Sequence, residues 1–102
     1  MTQPTLDVLE ALLNAGGSEL HGWVIIKETG RAGPTVYRVL ERLREAGLVE
    51  CRWEDLVVEA NRPRRRFYRL TPNGVERARA LLWERRQWQT TVTWRPGLGG
   101  AL

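Results

Sequence analysis

The chain is 102 residues long and 42% hydrophobic, and 16 basic against 12 acidic side chains leave a net charge of +4. That length suits one compact domain and is too short for two. No apolar run approaches the ~20 residues of a membrane span, the N-terminus lacks a signal-peptide pattern, and the single cysteine, Cys51, excludes an internal disulfide framework, so a reducing cytoplasm is the expected setting.

The first helix is expected from Pro4 or Thr5 to Asn14, with proline in the first turn and Leu6, Leu9 and Leu13 on one face. Gly16-Gly17 ends it, and Ser18 then caps a shorter helix from Glu19 to Glu28 that turns Leu20, Trp23, Val24 and one of Ile25 or Ile26 inward. A third helix spans residues 34–46, where Val36, Val39, Leu40 and Leu43 form the core stripe and Thr35, Arg38, Arg42 and Glu45 lie opposite. Gly47 stops it. Beyond Gly47, Val49, Cys51 and Trp53 alternate with Glu50, Arg52 and Glu54, the pattern of a strand with one apolar face.

Asp55 to Arg66 reads as a wing: Leu56–Val58 extends the strand, Ala60–Pro63 supplies turn residues, and Phe67–Leu70 returns. Thr71 before Pro72 is a helix start, and the last helix is expected to end between Gln87 and Trp94. The order helix, strand, basic hairpin, strand, helix predicts a mainly α chain of the α+β kind. It is a winged helix-turn-helix over residues 1–71, with a two-stranded β-hairpin wing and a C-terminal dimerisation helix over 72–94. A disordered tail is expected over 95–102.

Charge distribution says more than net charge. Arg62, Arg64, Arg65, Arg66 and Arg69 fall in a stretch that no acid interrupts, and 15 of the 16 basic residues are arginine. Phosphate chemistry favours that choice, since the planar guanidinium donates bidentately, and genome composition gives the same bias. In a helix-turn-helix the first turns of the reading helix face base edges. That places Thr35, Tyr37 and Arg38 in the major groove, with Arg42 one turn further. Arg38 suits guanine O6 and N7, Thr35 a base or a thymine methyl, and Tyr37 a phosphate or packing role. The other reading of Arg38 and Arg42 is a solvated face paired with Glu41 and Glu45. Arg62, Arg64, Arg65 and Arg66 are expected on phosphates or in the minor groove, with one or two of Arg65, Arg66 and Arg69, in or beside the return strand, structural.

Several stretches resemble the PadR family of bacterial transcriptional regulators: Leu6–Leu13, His21-Gly22-Trp23 where the family has His-Gly-Tyr, Pro34-Thr35-Val36-Tyr37 with Leu40 and Leu43, Gly47-Leu48-Val49, Trp53, and Arg65–Thr71 with Gly74. The resemblance covers residues 5–82. Pro34 replaces the family's usual glycine, Arg38 stands where proline is common, and the wing is longer. The short C-terminal part is similar to members with a single dimerisation helix. The resemblance implies a homodimeric repressor or activator on an inverted repeat of double-stranded DNA, with relatives that respond to small aromatic or cationic effectors.

Leu82, Trp83, Trp88 and Trp94 in the last helix fit a dimer interface, a ligand pocket between protomers, or plain packing. Cys51 reads as a small residue on the apolar strand face, and His21 as a packing or capping residue. No nucleophile–base pair, metal-ligand cluster or glycine-rich phosphate loop stands out, so neither an enzyme nor a cofactor is expected. The competing function is a winged-helix interaction module whose wing binds an acidic partner.

Overall fold

A computed structural model of the chain describes residues 1–55 and 62–93, with side chains as far as residue 87. The expected strand extension at Leu56–Val58, the turn up to Asn61 and the tail from Trp94 lie outside the described residues. Among the described residues, four helices and a three-stranded antiparallel sheet follow the order α1 (Gln3–Asn14), β1 (Leu20–His21), α2 (Gly22–Thr29), α3 (Gly33–Glu45), β2 (Val49–Trp53), β3 (Arg66–Leu70) and α4 (Pro72–Thr93). This is the winged-helix arrangement: a helical core with a β-hairpin at one side.

Helix α1 starts where Thr2 supplies its side chain to the Thr5 N–H, with Pro4 in the first turn. Its buried stripe, Leu6, Val8, Leu9 and Leu12, is wider than the sequence suggests because α2, α3 and α4 all pack on it. Helix α3 buries Val36, Val39, Leu40 and Leu43, as its 3- and 4-residue spacing predicts. These side chains join Ile25, Val49 and Tyr68 in one continuous core. Leu40 is wholly buried, so its truncation to alanine costs roughly 2–5 kcal/mol.

The second helix departs from expectation. It begins at Gly22, not Glu19, because Leu20 and His21 form a short strand. That strand pairs with β3 (Leu20 with Tyr68, His21 with Phe67), so the sheet gains a third strand in the order β1-β3-β2. His21, not Ser18, supplies the cap: its Nδ1 accepts the Trp23 N–H at 2.9 Å. Ile25 is the buried side chain of this helix, and Trp23, two residues before it and so on nearly the opposite side, is 57% exposed rather than inward as expected. Gly30, with φ 68°, ends α2 in a left-handed conformation.

The hairpin has a regular register, in which Val49, Cys51 and Trp53 face Leu70, Tyr68 and Arg66, and Glu50 and Arg52 face Arg69 and Phe67. Val49 and Tyr68 are buried and Cys51 packs against the core. Trp53 shares their face but is 56% exposed, a correction to its expected inward position. The strand has by then run past the helical core, and the Trp53 ring is covered instead by the Arg66 guanidinium, 5.4 Å from its centroid.

Helix α4 is joined to the end of α3 by a compact set of bonds. The Thr71 hydroxyl donates to the Gly47 carbonyl at 2.7 Å and accepts from the Gly74 N–H at 3.0 Å, and the Thr71 N–H donates to the Leu48 carbonyl at 3.0 Å. Gly74 is required here, since a Cβ on it would lie 1.9 Å from the Leu48 carbonyl oxygen.

Candidate nucleic-acid interface

The outward side of α3 carries Thr35, Tyr37, Arg38 and Arg42. Thr35 is half-buried, and the other three are exposed. The carboxylate that sequence spacing offers to Arg38, Glu41, is instead hydrogen-bonded by Arg44 one turn further on. That bond holds the Glu41 carboxyl below the usual carboxylate range. Neither Arg38 nor Arg42 forms a side-chain hydrogen bond or ion pair with another described residue. Both guanidiniums are therefore available with all their donors.

Tyr37 is exposed on one side and packed on the other. A Cβ built on Gly22 would meet its Cε1 at 2.8 Å, so the first turn of α2 rests directly against the phenol ring. The contact fixes Tyr37 between the two helices. Trp23 is the next residue along α2, and the Lys27 ammonium sits 4.7 Å from its ring centroid. Both are exposed, and sequence reasoning missed them. Their signal was the position of α2, since the helix before a reading helix braces on the DNA backbone. The expectation that Trp23 faces inward concealed it.

The hairpin arginines are in different situations. Arg62 forms a two-pronged pair with Glu54, at 3.0 and 3.1 Å. Glu54 also accepts the Arg65 N–H and donates its own N–H to the Arg65 carbonyl, so this carboxylate organises the base of the wing. The Arg62 bond is the main reason its pKa lies below the ordinary glutamate value. Arg66 donates to the Cys51 Sγ at 2.9 Å and lies over the rings of Trp53 and Tyr68. Arg52 bonds Glu19 and covers Phe67, and Arg69 pairs with Glu50 directly across the sheet. Arg64 and Arg65 are exposed, and neither forms an ion pair with a described residue.

Between α3 and the hairpin lies an open groove of about 510 Å³, with the rings of His21, Tyr37, Trp53 and Tyr68 on its walls and Arg64 and Arg65 at its edge. His21 stands edge-on to Phe67 at 5.9 Å. Burial, then the charges of Arg65 and Arg62, push its pKa below the ordinary imidazole value, so the neutral form that caps α2 is favoured. Aromatic walls edged by guanidiniums suit a sugar–phosphate strand, which offers apolar sugar faces and anionic oxygens in alternation.

In the last helix Leu82 is 4% exposed within the single chain, so its side chain is already covered, whereas the neighbouring Trp83 is 58% exposed. Trp88 belongs to α4, but its side chain is outside the described residues, as is the whole of Trp94. Among the described residues no group of histidine, cysteine and carboxylate side chains could hold a metal, and no helix is long and apolar enough to cross a membrane.

Comparison with known proteins agrees with this geometry. No curated protein matches the sequence significantly. Among solved structures, a protein of Ralstonia eutropha JMP134 whose description proposes DNA binding is 27% identical, with a TM-score of 0.63 over 79% of this chain and 96% of that one. MepR of Staphylococcus aureus, captured in its DNA-binding conformation, is 25% identical with a TM-score of 0.67 over 90% of this chain and 64% of that one. The PcaV transcriptional regulator of Streptomyces coelicolor is 27% identical with a TM-score of 0.70 over 88% of this chain and 61% of that one. The chain thus spans under two thirds of the length of MepR and PcaV. The sequence itself matches the transcriptional regulator PadR-like family over residues 8–80. With its winged-helix fold and basic, outward-facing α3, the chain belongs to the PadR-like family of transcriptional regulators, DNA-binding proteins and not enzymes.

Proposed function

We propose that this chain is a sequence-specific repressor that binds an inverted-repeat operator as a homodimer in the bacterial cytoplasm, with α3 in the major groove. The observation that carries this reading is the pair Arg38 and Arg42. Both are exposed on one face of α3 and form no ion pair with a described residue, while Glu41, the carboxylate three residues after Arg38, is bound to Arg44. Arg38 reads guanine, Thr35 contacts a neighbouring base, and Tyr37 supports the backbone. Arg64 and Arg65 neutralise phosphates and draw the duplex to the protein; Arg62 and Arg66 chiefly shape the hairpin that presents them.

The dimer is assigned to α4. Trp83 is a large apolar side chain left exposed on a helix whose Leu82 is already buried, and burying it against a second copy removes its ring from water. Repression follows from occupancy, since a dimer sitting on an operator excludes other proteins from it. Selection of duplexes from a random pool by the purified protein tests the base reading and the dimer together. A symmetric motif with half-sites about one helical turn apart is expected. A pool that gains no common motif, or equal binding to a non-nucleic polyanion such as polyglutamate, would overturn the reading in favour of an acidic protein partner.

A further inference from the structure

Helix α3 is held at both of its ends by bonds that lead to α4. At its exit, Thr71 bonds the carbonyls of Gly47 and Leu48, and Gly74 packs closely on the Leu48 carbonyl, as described above. At its entry, Arg31, two residues before the helix begins at Gly33, donates Nε and Nη2 to one oxygen of Asp7, at 3.0 and 2.8 Å. The other oxygen of Asp7 accepts Nη1 of Arg85, from α4, at 3.0 Å. Arg85 also binds Gln3 and Glu10, each at 3.1 Å, so its guanidinium lies across one face of α1. The Arg85 side chain is 14% exposed and Asp7 26%, against 38% for Arg31, so the connection is partly shielded from solvent and salt.

The distances match. From Gly74 to Arg85 along α4 is about 17 Å at 1.5 Å per residue, close to the ~20 Å length of α3. The two attachments therefore bracket the reading helix, and α4 cannot turn relative to the core without moving α3 or breaking one of them. Asp7 is the junction of the two arginines: Oδ2 accepts from Arg31 and Oδ1 from Arg85.

We infer that Asp7 is a positioning residue for DNA reading: together with Arg31 and Arg85 it locks the direction of α3 to that of α4, and so sets the spacing and phase at which two half-sites are read. The inference rests on the dimer reading proposed above. It concerns no contact with DNA. A carboxylate behind the entry of α3 determines which operator geometry the pair of reading helices fits.

The test uses the full chain and the duplex motif selected by the wild-type protein. Affinity is measured for that inverted repeat, for versions with one base pair added or removed between half-sites, and for a single half-site. One base pair turns a half-site by about 34°, and wild-type protein is expected to bind the altered repeats about tenfold more weakly, a ratio of the size such networks carry. Asp7→Asn, Arg31→Gln and Arg85→Gln should each reduce that penalty to about threefold or less while leaving half-site affinity within about twofold. Combining Arg31→Gln with Arg85→Gln should add little, because both cut the same chain. Should Asp7→Asn not fold, Arg31→Lys reads the same quantity, since it keeps the charge and loses the fork.

A wild-type protein indifferent to spacing would overturn the dimer reading and this inference with it. A wild-type preference that survives unchanged in the variants would overturn the inference alone. Equal loss on the half-site and the repeats, tracking a lowered melting temperature, would reduce Asp7 to a structural role and overturn it as well.

Discussion

The two arginine-bearing regions of this protein differ in a way their sequences conceal. The hairpin holds the dense run, yet Arg52, Arg62, Arg66 and Arg69 are all engaged with Glu19, Glu54, Cys51 and Glu50. Helix α3 holds three arginines; Arg44 is paired with Glu41, while Arg38 and Arg42, one turn apart, are not engaged with a described residue. A guanidinium already bonded to a carboxylate must leave that bond or share its donors before it can serve a phosphate. Density in the sequence therefore overstates what the hairpin offers, and sparseness understates what α3 offers. Availability, set by the partners the fold supplies, is the better measure of a DNA-facing side.

The largest expected effect tests the frame that both regions share. Gly74→Ala forces a Cβ into the Leu48 carbonyl and should lower stability by about 3 kcal/mol or more in denaturant unfolding. Loss of that order with no effect on the hairpin alone would mean the frame is not shared. Next, Arg38→Ala should cost about 1–3 kcal/mol of discrimination at one base pair, read as relaxed preference in a panel of single-base operator variants. Uniform weakening across the panel would make α3 equivalent to the hairpin and erase the contrast.

Within the hairpin the comparison sharpens further. Arg66→Ala should destabilise the fold by about 1 kcal/mol through lost stacking on Trp53 and Tyr68. Arg64→Ala should leave the melting temperature unchanged, yet reduce the salt slope of DNA binding by about 1 per phosphate contact removed. Matching effects from the two substitutions would show that engagement does not separate these arginines.

The smallest effect belongs to His21, which stands between the regions. Its pKa is depressed in the folded protein, so the unfolded chain takes up a proton first as pH falls through about 6.5, and stability declines from there. The protonated ring also loses the Nδ1 acceptor that caps α2. His21→Asn keeps an acceptor without the titration and should flatten melting temperature against pH in that window. An unchanged slope would remove His21 from the account.

What the sequence made legible was local. The α3 stripe, the Thr71-Pro72 helix start and the alternation of Val49 and Cys51 are periodic or adjacent signals, and they appear in place. The features that escaped depend on partners distant in the chain. Leu20 and His21 form a strand by pairing with Tyr68 and Phe67, and that pairing moves the start of α2 to Gly22. Trp53 alternates correctly yet emerges from the core, since alternation assigns a face but not how far the core extends beneath it. Charge pairing is equally non-local: Arg62 and Glu54 are eight residues apart in sequence, and Arg52 and Glu19 thirty-three. The resemblance to the PadR family reached the fold and the functional class, and could not say which arginines the fold would occupy.

The Thr71 hydroxyl has a consequence for how the protein comes apart. One oxygen donates to the Gly47 carbonyl, just past α3, and accepts the Gly74 amide in the first turn of α4, so the turn after α3 and the start of α4 are bonded through a single atom. Partial opening that frays the exit of α3 while leaving the start of α4 intact is therefore disfavoured. In native-state hydrogen exchange the amides of Leu48, Thr71 and Gly74 should open as one cooperative unit with a common free energy.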